Sequence, residues 1–161
     1  MVNFKNSKLI SNSDYKKLKS LSTFVLKKFF TENMRNKLKI DVVFKKNLFK
    51  DCNSYGNCVW EDTHRNPREF TIQLEPNQKI SLLLNSLAHE LVHVKQWAKG
   101  EYYELYSKPK VYKFNGKLVD TAKVDYWDTP WEIEAHGRAI GLVVQWVRQE
   151  KLTGQNLILN H

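Results

Sequence analysis

Two hydrophobic periods meet at Pro76. Before it, Arg68 to Glu75 alternate strictly, with Phe70, Ile72 and Leu74 on one side and Glu69, Thr71, Gln73 and Glu75 on the other, the period of a half-exposed β-strand. After it, Leu83, Leu84, Leu87, Leu91 and Val94 recur at helical spacing until Gly100 stops the pattern, so a long helix with one buried side follows. A strand feeding directly into such a helix needs a shared core for both apolar faces, which limits the architecture to layered folds.

The flanks extend this frame. A polar cluster at Ser11 to Asp14 supplies a helix cap, and Leu18, Leu21, Val25 and Phe29 then mark an amphipathic helix over about residues 14 to 36. Ile40 to Phe44 is short and β-branched, as a buried strand is. The polar stretch from Lys45 to Pro67 holds one short strand at Cys58 to Trp60. Val111 to Val119 forms a hairpin, because Asn115-Gly116 suits a two-residue turn needing positive φ. A last helix opens near Thr129 with Pro130 in its first turn and runs to Lys151, with Ile140, Val143, Val144 and Val147 on its apolar side. The order predicts one α+β domain over residues 1–161 with a short mixed or antiparallel sheet: a basic helix and strand over 1–50 and a core over 68–151.

Charge separates the same two parts. The chain has 161 residues with 26 Lys plus Arg against 17 Asp plus Glu; residues 1–50 hold 13 basic and 3 acidic residues, whereas the remainder is close to neutral. The basic segment is either a patch for a polyanion such as nucleic acid or the solvated face of a surface helix, and its preference for Lys over Arg suits the latter. The longest uncharged apolar stretches, Ile80 to Ala88 and Ala139 to Val147, fall well short of the roughly 18 to 20 residues of a membrane span, so no membrane partner is expected. Without a secretory signal pattern, the chain reads as cytoplasmic. Cys52 and Cys58 cannot build a disulfide scaffold, and with His64 they match no zinc-ligand spacing.

The middle helix carries His89-Glu90-Leu91-Val92-His93. Positions i and i+4 share a helix face about 5 to 6 Å apart, so both imidazoles can reach one metal ion, and Glu90 lies beside that face, where a carboxylate can take a proton from a metal-bound water. A catalytic zinc takes three protein ligands. The eight residues after His93 contain no histidine, which leaves Pro130-Trp-Glu-Ile-Glu-Ala-His136. There Glu132 and His136 share one face, while Glu134 is turned about 200° from Glu132.

His-Glu-x-x-His followed some forty residues later by a helix with Glu-x-Glu-Ala resembles the gluzincin-type metallopeptidases. His89 to Gln96 together with Tyr126 to Ala135 is similar to small metallopeptidases of phage genomes loosely grouped with SprT-like proteins. The resemblance covers about residues 68 to 141. It implies a zincin-like fold that binds one zinc ion through His89, His93 and Glu132, with Glu90 as general base for peptide hydrolysis, in a host cytoplasm if the source is viral. His136 stands where many relatives have an acid supporting a ligand histidine; it either does that work or replaces Glu132 as third ligand. The strand before the helix forms the cleft's rim in such enzymes, so Thr71 and Gln73 are candidate contacts for an extended peptide. Tyr126, six residues before Glu132, is the candidate oxyanion donor, with core packing as its other reading. Two rivals accompany the peptidase: a zincin scaffold that binds or senses without turnover, and a SprT-like protease held on DNA by its N-terminal lysines. Oligomeric state is not legible from the chain.

Overall fold

The structure, a computed structural model, describes residues 1–63 and 65–159. Four strands, β1 (Val2–Lys5), β2 (Lys39–Phe44), β3 (Gly56–Trp60) and β4 (Glu69–Leu74), form a mixed sheet in the order β1-β2-β4-β3. β1, β2 and β4 run parallel and β3 is antiparallel to β4. Parallel neighbours cannot be joined by a tight turn. The first crossover is made by α1 (Asn12–Phe29) and α2 (Glu32–Lys37), and the second passes through α3 (Leu48–Cys52) and β3. α4 (Ile80–Ala98) follows β4, and three short strands, β5 (Tyr102–Glu104), β6 (Val111–Phe114) and β7 (Lys117–Asp120), make a separate antiparallel sheet. A single 3-10 turn at Tyr126–Asp128 leads into α5 (Pro130–Gln149). Among the described residues the fold is therefore α+β with five α-helices. None of them is long and apolar enough to cross a membrane.

α4 is the central element. Every residue from Leu87 to Ala98 is buried, because α1, α5 and the sheet pack around it. Leu84, Leu87, Leu91 and Val94 are fully enclosed. Each such side chain contributes about 1.5 to 3 kcal/mol of burial free energy, which fixes the helix that carries both motif histidines. α5 buries Trp131, Ala135, Ala139, Leu142, Val143, Trp146 and Val147. The stripe is thus rotated from the expected Ile140–Val144 side toward two alanines and two tryptophans, with Ile140 and Val144 only half-buried.

Three expectations change. The helix foreseen over 14–36 is broken: Phe30 is extended at φ −131°, and Thr31 starts α2 by accepting a hydrogen bond from the Met34 amide. A threonine at that point offers the chain a fresh N-cap, and the hydrophobic stripe does not encode the interruption. β1 was not foreseen, since only Val2 and Phe4 mark it. The third change concerns Thr71 and Gln73. β4 is an interior strand, with Thr71 paired to Asp41 and Val59 and Gln73 paired to Val43 and Asn57, so neither offers a free backbone edge to a peptide. That edge belongs to β3, which ends the sheet.

The hairpin turn has φ of 46° at Asn115 and 85° at Gly116, the two positive values a type I′ turn requires. His64 lies outside the described residues; Cys52 is exposed on α3 and Cys58 half-buried on β3.

Candidate metal centre

His89 and His93 stand one turn apart on α4, and the first turn of α5 delivers Glu132 between them. Pro130 occupies an early position whose missing N–H costs nothing, and a carboxylate suits the positive end of the helix. The Nε2 atoms of the two imidazoles are 3.0 Å apart; Glu132 Oε2 is 3.3 Å from His89 Nε2 and Oε1 is 3.4 Å from His93 Nε2. One ligand atom from each of the three residues lies within 4.8 Å of the others, and all three side chains are buried. His136 is peripheral. Its Nε2 is 3.8 Å from Glu132 Oε2, its ring packs between those of His89 and Trp127, and nearly half of its side chain is exposed.

The group fits a divalent cation on its own terms. Glu132 Oε2 is enclosed with no hydrogen-bond partner among the described residues. A buried carboxylate oxygen aimed at two imidazole nitrogens is satisfied by a cation, and the mixed nitrogen and oxygen donors suit a borderline metal.

The electrostatics agree. Burial opposes ionisation of Glu132, but His89, His93 and Tyr126 outweigh it and hold its carboxyl well below the usual carboxylate range. Burial also presses His93 down, yet the Glu132 hydrogen bond and the nearby Glu90 charge win and raise it to about 9. His89 is lowered, by burial and then by the His93 charge. A proton thus sits on His93 at neutral pH in the metal-free protein, and a coordinating imidazole must lose it. Metal uptake at pH 8 will release that proton, and affinity will fall as pH drops below about 9, by about tenfold per unit for one displaced proton. Calorimetry in buffers of different ionisation enthalpy counts the proton; none released would contradict this picture.

Glu90 is buried beside the trio, and burial pushes its carboxyl up to about 7, the Glu132 charge adding and His93 opposing. A group titrating there both takes and returns a proton near neutrality. Gly56 on β3 makes room for it: a Cβ there would lie 2.9 Å from Glu90 Oε1 and 3.2 Å from Leu74 Cδ2. Burial and the Glu90 charge keep the neighbouring Cys58 thiol protonated.

No family model, curated protein or solved structure matches the chain.

Several contributing residues were not foreseen. Gln96, fully buried, accepts from His93 Nδ1 at 2.8 Å through Oε1 and donates through Nε2 to the Trp131 carbonyl and to Glu134 Oε2. Because both donated bonds fix the amide, His93 keeps its Nδ1 proton and turns Nε2 toward the centre. Glu134 in turn binds Lys95 at 2.8 Å and Arg138 at 2.7 Å, and Lys95 binds Glu101 at 2.5 Å. The available signal was the Lys95-Gln96 pair, two polar residues next to the helix's apolar Val94 and Trp97. Tyr126, foreseen as the oxyanion donor, lines the same cleft as Glu132, while more than half of the residue remains exposed. The cleft, of about 650 Å³, is bounded by α4, β3 and the start of α5.

Proposed function

We propose that this chain is a zinc-dependent metallopeptidase of the zincin kind, and that His89, His93 and Glu132 hold the ion. The observation that carries the reading is the buried trio with Glu90 beside it on an open cleft. A bound zinc supplies a Lewis acid that acidifies water and polarises a carbonyl. Glu90 takes the proton of the attacking water and passes it to the leaving amine, which its position and its pKa near 7 both suit. Gln96 orients His93, and Tyr126, which lines the same cleft, is the hydroxyl assigned to a developing oxyanion. The free edge of β3 can receive an extended peptide through backbone hydrogen bonds, the role first assigned to Thr71 and Gln73 on β4.

The test is metal analysis with peptide-library cleavage. Wild type and Glu90→Gln should each carry about one zinc per chain, and only wild type should cleave. Absence of zinc from the wild type overturns the reading; zinc without cleavage turns it toward the scaffold that binds or senses. Gly56→Ala adds a narrower expectation. Since the closest clash falls on the far end of the Glu90 side chain, with Leu74 Cδ2 the next neighbour at 3.2 Å, stability should fall by about 1 kcal/mol while kcat drops about 10- to 100-fold at unchanged zinc content. Unchanged kcat would show that Glu90 needs no such room.

A polyanion partner is the second reading. Lys16, Lys19, Lys27 and Lys28 line a groove of about 610 Å³ between α1 and the end of α5, with Glu150 the one acid there. DNA affinity that falls steeply with salt, and that vanishes when these lysines are neutralised, is the expected outcome; salt-independent binding removes this reading.

A further inference from the structure

The cleft continues past the metal centre. Trp97 stands on α4 one turn beyond His93, and Trp60 at the end of β3 packs on it with ring centroids 4.0 Å apart. Trp97 stacks in turn near Tyr102, and Tyr102 on Trp131, at 4.3 and 4.4 Å, so one wall of the cleft is continuous aromatic surface. Behind Trp60 and Trp97 opens a second cavity of about 570 Å³, lined on its other sides by Pro67, Tyr103, Leu105 and Tyr106 together with the polar Thr63, Arg65 and Glu104. The two tryptophans line both cavities. Arg65, its guanidinium 4.7 Å over the Tyr103 ring, and Glu104 bring one charge of each sign to the second cavity, so its lining carries no formal net charge. Trp60 is 38% exposed and Tyr106 93% exposed, so folding leaves aromatic surface facing water at the mouth. The opposite end of the cleft is different, lined by Asn85 and Ser86 of α4 and Asn57 of β3.

We infer that the second cavity is a side-chain pocket, and that the preferred substrate carries Phe, Tyr, Trp or another bulky apolar residue within two positions of the bond to be cut. Its reference to a cut bond rests on the peptidase reading; the pocket's selectivity does not. Spacing supports the position. Trp97 is four residues from His93, about 6 Å along the helix, and an extended peptide covers that span in about two residues. An aromatic wall rewards a side chain that packs on it, and burying one there removes the exposed face of Trp60 from water.

The probe is a set of labelled peptides of one backbone with Phe, Leu, Ala or Lys at each position in turn, titrated into zinc-loaded Glu90→Gln protein so that none is consumed. At one position Phe should bind about tenfold more tightly than Ala. Trp60→Ala should reduce that advantage to about threefold or less and Trp60→Phe should restore most of it; Tyr106→Ala, too exposed to unfold the protein, should weaken it as well. Equal binding of Phe and Ala peptides overturns the inference, as does an advantage that survives Trp60→Ala with an unchanged circular dichroism spectrum. Wild-type cleavage of the same peptides is scored separately. Selective binding without cleavage sinks the peptidase and keeps the pocket; cleavage indifferent to the Phe sinks the pocket and keeps the peptidase.

Discussion

Glu132→Ala protein, loaded and dialysed alongside the parent, will retain less than about a tenth of the parent's zinc and lose its hydrolytic activity, whereas His136→Ala will keep its metal. The carboxylate is the one acid whose oxygens lie 3.3 and 3.4 Å from the two imidazole nitrogens, and it is buried. His136 is nearly half exposed, and its ring rests against His89 rather than joining the buried trio. Its removal should weaken binding by no more than the roughly 10- to 100-fold that a supporting residue contributes. The reverse pattern, metal kept without Glu132 and lost without His136, would establish a three-histidine site instead.

Trp146→Ala will cost about 3 to 5 kcal/mol of unfolding free energy. Trp146 is fully enclosed, and its indole Nε1 donates to Ser20 Oγ at 3.0 Å, tying α5 to α1. The alanine variant leaves a cavity and removes the hydrogen bond to Ser20. Trp146→Phe should lose less, keeping most of the volume and surrendering the bond. Denaturant unfolding with zinc removed measures both, and a loss below about 1 kcal/mol for the alanine variant would mean the site collapses around the gap. Glu132 rides on the same helix about 21 Å away, so a looser α5 should also weaken metal retention.

The periodic parts of the molecule are legible in the sequence. Alternation from Glu69 to Leu74 and helical spacing from Leu83 to Val94 marked β4 and α4, and Asn115-Gly116 marked the hairpin. The spacing of His89, Glu90 and His93 named three members of the candidate site, and the facing argument named Glu132 with His136 as its rival. What stayed hidden were facts of pairing and support. Alternation tells which side of a strand is buried and says nothing about its lateral neighbours, so Thr71 and Gln73 looked available although β2 and β3 cover both edges. Gln96 shows no pattern of its own; its work depends on α5 bringing the Trp131 carbonyl and Glu134 within reach. β1 is four residues long, too short to register as a period.

Gly56 also limits how far this sequence can drift. Val59, further along the same strand, is 45% exposed, and surface positions of that kind usually change stability by no more than about 0.5 kcal/mol when replaced. Position 56 admits none without consequence, since even a single methyl group enters the space held by Glu90. The tolerance of β3 to change is therefore uneven along five residues, and its least permissive point is the residue with no side chain to lose.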